Sequence, residues 1–584
     1  MEEKEKRTVE DSSPIDVDVG TAADVEAVMK KYDRESNTKI WEGLPKQVIR
    51  YAMALFMIFM VYVSMFSSMD GSVRRCWFLG LVLVFVYVMY PIKKGAVTRV
   101  NYMPWYDIVL AVLSIGTFGY QIYFLDDLIY KGSRLDTIDI IIGTLAILLL
   151  IEACRRVVGI PIIVVVVAFM AYALLGSGMA FKDLIYTLFY TTQGILGTPI
   201  QVCSTYIFLF VLFGAFLEAT GIAAFFIDLA NAIAGSATGG PAKVAVISSA
   251  LCGMVSGSSV GNTVTTGSVT IPLMKKTGYP PQFAGAVEAA ASTGGQIMPP
   301  IMGAAAFVLS DVAGVPYAEV CIAAILPALM YYICLVKMVD LEAVKHNLAG
   351  LSEDEVPNLK ESLARGMKLF IPVGVLLFMM LGLKTTPMKA AIFATAAILV
   401  TGVLDSKDRM TVKGVVNGAV AAGKSLCSVV AACSTAGIVV AVFSLTGLGL
   451  KFSNFIVQLG SNSLIPSLIL AMLVCAILGM GLPTTAAYIV CATAIAPALT
   501  GLGLPILAAH LFLMYFASIS AITPPVAVAS YAAAGIAEEN PMKVGLQAVK
   551  LGITGFILPF AFALNPDYIT FGWNLQTLLT WISG

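Results

Sequence analysis

From Val244 to Met274 the chain reads VAVISSALCGMVSGSSVGNTVTTGSVTIPLM, and from Ala289 to Ser310 it reads AAASTGGQIMPPIMGAAAFVLS. The first is an apolar run interrupted by Ser256-Gly257-Ser258-Ser259-Val260-Gly261-Asn262-Thr263 and stopped by Pro272 and the pair Lys275-Lys276. In the second, Ser292-Thr293-Gly294-Gly295-Gln296 runs into Met298-Pro299-Pro300, where a helix cannot keep its backbone hydrogen bonds. Both read as helices that unwind partway through a bilayer. Hydrocarbon cannot satisfy free N–H and C=O groups, so such breaks survive only where protein buries them or they line a polar cavity. A polar site within the membrane is the consequence.

Composition agrees. Of 584 residues, 58% are hydrophobic and only 12% charged, which excludes a set of soluble domains and indicates an all-α polytopic membrane protein. At roughly 20 apolar residues per span, about 14 to 18 membrane segments are expected. The formal net charge is zero, so no basic field points to nucleic acid. The ten cysteines lie scattered in or beside apolar runs without CxxC spacing, as buried thiols do.

Residues 1–47 form a charged tail with no apolar core of a cleaved signal at its start. Val25, Val28, Met29 and Tyr32 fall on one helical face within it. Residues 48–200 carry five candidate spans with few glycines and no Pro-Pro breaks, and read as a scaffold unit. Lys93, Lys94, Arg99, Arg155 and Arg156 lie in alternate loops, opposed by Asp126 and Asp127, which places the N-terminus in the cytoplasm; Arg74 and Arg75 run against this bias. Residues 201–340 read as a first repeat, 341–368 as a charged cytoplasmic connection, 369–564 as a second repeat and 565–584 as an extracytoplasmic tail.

The opening pattern returns in the second half. Phe452 to Ala537 holds no Asp, Glu, Lys or Arg over 86 residues, and within it Gly479-Met480-Gly481-Leu482-Pro483-Thr484-Thr485 breaks one apolar segment. Ser518-Ile519-Ser520-Ala521-Ile522-Thr523-Pro524-Pro525 breaks a later one. Asn262 to Pro299 is 37 positions and Thr484 to Pro524 is 40. Paired Gly/Pro-interrupted segments at corresponding positions of two halves point to the binding site of a secondary transporter built from repeats. Unwound carbonyls with Ser, Thr and Asn oxygens suit a hard cation, while half-helix N-termini offer N–H groups to an anion. Close packing of small residues is the competing reading of the Ser/Gly/Thr clusters, but it does not account for Pro299-Pro300 and Pro524-Pro525 recurring behind polar breaks.

Carboxylates are scarce, which favours sodium over protons as the coupling ion. Glu288 follows Pro280-Pro281 and is either an ion-handling group or an interfacial carboxylate; His510 is either a coupling group or a hydrogen-bonded core residue. Lys275, Lys276, Lys424 and Lys451 read as interfacial anchors or scaffold contacts.

At these residues the chain resembles the tripartite ATP-independent periplasmic (TRAP) transporters, specifically fused permeases of the TAXI subgroup. The resemblance rests on Ser256 to Thr263 with Thr266-Gly267-Ser268-Val269-Thr270-Ile271-Pro272, on Gly294 to Pro300 and on Ile522-Thr523-Pro524-Pro525, and covers about Tyr51 to Leu564. The early spans resemble the small membrane subunit of such systems, joined here to the large one. The resemblance implies an elevator-type transporter in a prokaryotic inner membrane, with two inverted repeats, each holding a re-entrant hairpin and a broken helix. It implies sodium-driven uptake of organic acids delivered by a TAXI-type extracytoplasmic binding protein. By motif position it puts sodium at Ser256, Ser258, Asn262, Thr263, Gly267 and Gly294, and at Gly479, Gly481, Thr484, Thr485, Ser520 and Thr523. Substrate falls against Ser259, Asn262, Thr263, Gln296, Thr484 and Thr485. One departure is Asn262, which stands where many two-subunit relatives carry an acidic residue.

Three other functions compete. A dicarboxylate:sodium symporter without a binding protein shares the hairpins but lacks the five leading spans. A membrane-embedded enzyme needs a nucleophile with a base or metal ligands at depth, and the chain has only His346 and His510, no HExxH and no Asp/Glu pair in the repeats. A channel suits paired hairpins less well than alternating access does. No prosthetic group is expected, and the fused scaffold makes a monomeric permease the expected state.

Overall fold

The computed structural model describes residues 37–93, 99–404, 410–460 and 463–569. The amphipathic face at Val25 to Tyr32, Lys94, and the tail beyond Ile569 lie outside the described residues. Helices make up almost all of what is described, and no strand occurs among those residues. In an apolar solvent the helix satisfies each backbone group within its own segment.

Among the described residues, eight helices are long and apolar enough to cross a membrane, or nine if Trp105–Tyr123 and Leu125–Lys131, bent by 69°, form one span. Nine further apolar helices are only 10–17 residues long. The short ones include Gly240–Ser256, Ala304–Ala313, Leu464–Gly479, Ile506–Ile519 and Val528–Ala537, which flank the sequence breaks, whereas Thr484–Gly501 is one of the full-length helices. Gly240–Ser256 and Ser259–Lys276 form a first helical pair; Pro281–Gly294 and Ala304–Ala313 are the halves of a first interrupted helix. Leu464–Gly479 with Thr484–Gly501 form a second pair, and Ile506–Ile519 with Val528–Ala537 a second interrupted helix. Each pair folds onto itself, since its two helices pack together across their short break. The preceding helices also recur in order: Phe208–Ala219 and Ile222–Ala234 before the first pair, Val412–Thr446 and Leu448–Leu459 before the second.

Val412–Thr446, 35 residues long, is the post around which the rest is arranged. It packs against the early helices Gly43–Phe66, Thr137–Val157 and Ile160–Ala171, and also against Phe208–Ala219 and Thr484–Gly501. The early helices are locked by buried charge. Asp107 accepts from Lys39 Nζ at 2.6 Å and from Arg156 Nη1 at 2.7 Å, and Arg156 Nε reaches Glu152 at 2.8 Å. Arg155 and Arg156, read above as loop charges, sit on the last turn of Thr137–Val157 and hold this network together. A buried charge with two partners tolerates the loss of neither, which makes the cluster a rigid corner.

Candidate functional site

Each break turns on one glycine in the left-handed region that L side chains avoid: Gly257 at φ +64° and Gly481 at φ +76°. Gly257 rests on the carbonyl of Met302, where a Cβ would lie 2.5 Å away; Gly481 rests on Pro161 of the scaffold at 2.8 Å. Behind the first break, Gly253 meets Gly295 backbone to backbone, with 2.4 Å between an added Cβ and the Gly295 Cα. The Gly-Gly in the first interrupted helix thus lets the helical pair nest against the unwound segment. Both Pro299-Pro300 and Pro524-Pro525 are cis.

The two breaks open on one cavity of about 1300 Å³. Ser256, Gly257, Ser258, Ser259, Asn262 and Gln296 line it from the first half of the chain, and Gly481, Thr484 and Thr485 from the second. Gln296 joins them. Its Oε1 accepts from Thr484 Oγ1 at 3.0 Å, and its Nε2 lies 3.5 Å from the Gly257 carbonyl. Residues 188 positions apart thereby meet in one polar contact. Ser259–Lys276 and Thr484–Gly501 both begin at this cavity, so two helix N-termini point free N–H groups towards it. Ser258 caps the first, accepting from Gly261 N at 3.1 Å.

Asn262 is buried at 1% exposure, and its amide donates to the Ser249 carbonyl at 2.8 Å. Its Oδ1 has no partner among the described residues. A buried carbonyl oxygen without a donor is a ready ligand for a cation.

Other expected residues stand behind the cavity surface. Thr263 donates to Ser259 O at 2.8 Å, Ser520 to Ala517 O at 2.7 Å and Thr523 to Ile519 O at 2.9 Å. Gly267 lies against Glu288 and Gly294 against Tyr331, while Gly479 faces Ser520.

Glu288 is fully buried, which removes the interfacial reading. Ser249 Oγ donates to its Oε1 at 2.5 Å and Ser292 Oγ to the same oxygen at 3.0 Å; Thr270 Oγ1 donates to Oε2 at 2.6 Å, and Thr266 Oγ1 also reaches Oε1. No basic side chain contributes to this shell. The carboxylate staples three helices and is one residue removed from the tip, since Ser249 also binds the Asn262 amide. His510 is buried too, with Tyr488 Oη 2.7 Å from its Nδ1, as a hydrogen-bonded core residue would be. Lys275 donates to Ala537 O at 3.1 Å, tying the first pair to the end of the second interrupted helix. Lys424, read as an interfacial anchor or a scaffold contact, lines the cavity. Its position twelve residues after Val412, inside an otherwise apolar run, concealed this; the helical spacing from Lys413 and Asn417 was the available signal.

Residues 145–577 match the family model described as "Tripartite ATP-independent periplasmic transporter, DctM component". A Sinorhizobium fredii protein, y4mL, is 31% identical over 174 residues, 29% of this chain and 40% of that protein. The 2,3-diketo-L-gulonate TRAP transporter large permease protein YiaN of Escherichia coli is 25% identical over 56% of this chain and 76% of its own length. The C4-dicarboxylate TRAP transporter large permease protein DctM of Pseudomonas aeruginosa is 40% identical over 91 residues, 16% of this chain and 21% of that protein. The match therefore spans less than half of the Sinorhizobium and Pseudomonas proteins and about three quarters of the Escherichia coli one. Among solved structures, the Alcanivorax borkumensis YdaH transporter shares the fold at a TM-score of 0.50 and 18% identity, over 71% of this chain and 99% of that one.

Proposed function

We propose a function from one premise: the chain belongs to the DctM-component family of tripartite ATP-independent periplasmic transporters, a family of multi-pass permeases and not of enzymes. It imports small organic acids by secondary transport, coupled to sodium and fed by an extracytoplasmic binding protein of the TAXI type. The observation that carries this reading is the Gln296–Thr484 contact, which brings the breaks of both halves to one cavity.

The chemistry fits an anion and a cation bound side by side. Two helix N-termini and the Gln296 amide offer donors to a carboxylate. The unpartnered Asn262 Oδ1 and the Ser256 and Ser258 oxygens beside it offer acceptors to sodium. The two repeats are inverted relative to one another and move as an elevator against a fixed body of early helices and Val412–Thr446, in a cytoplasmic membrane with the N-terminus inside. The early helices stand in for a separate small subunit, and the permease acts as a monomer.

Sodium binding is tested without knowing the substrate. The purified permease is heated in sodium chloride and in choline chloride at equal ionic strength. We expect a higher Tm in sodium, a difference lost in Asn262→Leu; equal values for the wild type contradict sodium coupling. One observation favours a second reading, in which protons drive transport: Glu288 is a buried carboxylate that no basic side chain of the described residues neutralises. That reading predicts uptake driven by a pH gradient without sodium and lost in Glu288→Gln.

A further inference from the structure

We propose that the wall facing the tips carries a second anion site, a basic strip that receives the carboxylate of a small organic acid once the tips have presented it to the cavity. The proposal rests on the transport reading above and adds a site that the tip motifs do not contain. Lys413, Asn417, Lys424 and Ser428 recur at helical spacing on Val412–Thr446, and all four line the cavity. From Lys413 to Lys424 the strip runs about 16 Å along the helix. Lys46 and Arg50, one turn apart on Gly43–Phe66, lie beside it. Arg50 Nη2 donates to Asn417 Oδ1 at 2.5 Å and so joins the two helices into one surface.

The balance of charge is one-sided. Lys46, Arg50 and Lys413 form no ion pair with a carboxylate of the described residues, and the cavity lining holds a single acid, Glu218. Lys39 also lines the cavity but is already paired with Asp107. The tips offer an anion only neutral dipoles. Formal positive charge therefore comes from the opposite wall, where low-dielectric surroundings concentrate its field. Along the helix the strip is charged at Lys413 and Lys424 and neutral at Ser425 and Ser428, so its positive charge is graded from one end to the other. An acid with several carboxylates gains more from this arrangement than a monocarboxylate does.

The test reads the field directly and needs no transport. Ala421 lies exposed on the strip, whereas nine of the ten native cysteines are buried and Cys334 is half-buried. The full-length Ala421→Cys permease, in phosphatidylcholine nanodiscs, is reacted with methanethiosulfonates of opposite charge, sulfonatoethyl and trimethylammonioethyl, with the parent protein as background. Relative to a free thiol, we expect the anionic reagent to be favoured at least about fivefold at low salt. Lys413→Gln with Lys424→Gln brings the ratio towards one, Lys-to-Arg exchanges restore it, and tricarballylate slows the anionic reagent more than acetate does. A wild-type ratio of one or below overturns the proposal. So does a ratio insensitive to the lysines, or protection by added phosphatidylglycerol but not by tricarballylate, which would make this a lipid-headgroup site. If the double variant does not fold, Lys424→Gln alone is read by the same ratio. Failure of sodium-driven uptake leaves the labelling result standing, so the two claims fail separately.

Discussion

The first helical pair and its interrupted helix enclose a carboxylate shelled by four hydroxyls, while the second pair and its interrupted helix enclose a histidine held by one tyrosine. The two regions share their geometry. Each has a left-handed glycine at the break, a helix N-terminus beginning just beyond it, and a Pro-Pro in the unwound stretch. They do not share their charge: from Phe452 to Ala537 the second has no Asp, Glu, Lys or Arg, and its ionisable side chains are His510, Cys475, Cys491 and tyrosines. Recurring geometry builds a two-sided cavity with unequal charge. Under the proposed function, the half with Glu288 and the orphaned Asn262 oxygen would answer the coupling cation, and the neutral half would complete the cradle for the substrate.

The strongest way to break this comparison is at the tips. Asn262→Leu and Thr484→Leu should each abolish sodium-driven uptake, roughly 100-fold or more, without preventing insertion, because each puts apolar bulk where an oxygen faces the cavity. Uptake near wild type in either would remove that residue from the site. Next in size is the contrast between buried groups. Glu288→Leu leaves up to four buried hydroxyls without their acceptor and should cost about 3–5 kcal/mol of stability, read by thermal unfolding in detergent. Glu288→Gln keeps an acceptor and isolates the charge; it should lower uptake at least about 10-fold at near-normal stability. Equal losses from Glu288→Gln and His510→Gln would erase the asymmetry. Thr484→Val removes only the hydrogen bond to Gln296, worth about 1 kcal/mol, and should raise the half-saturating substrate concentration about fivefold. The smallest effect belongs to Tyr488→Phe. It should cost about 1 kcal/mol of stability and change uptake less than twofold.

The breaks were legible in the sequence because their causes are local. Glycine and proline announce an unwound helix within a few residues, and the pattern at Ser256 to Thr263 and at Gly479 to Thr485 needed no knowledge of neighbours. The matched spacing to Pro299 and Pro524 likewise carried the idea of two halves. What lay beyond local reading came from distant positions. The hydroxyls around Glu288 belong to residues 249, 266, 270 and 292 on three helices, so its place after Pro280-Pro281 left it readable as an ion-handling group or an interfacial carboxylate. The bond between Gln296 and Thr484 depends on how the halves dock. Lys424 was read as an interfacial anchor or a scaffold contact because a lone lysine in an apolar run commonly is one or the other, and only the packing of Val412–Thr446 shows which face it occupies. The reverse holds for Arg156, where a loop charge in the sequence became half of a buried pair.

The measurement that bears most directly on the account is uptake of labelled small carboxylates into proteoliposomes, with and without the binding protein, under an inward sodium gradient or a proton gradient. The account predicts uptake that requires both sodium and the binding protein. Uptake driven by protons and indifferent to sodium, or uptake undiminished when the binding protein is omitted, would contradict it.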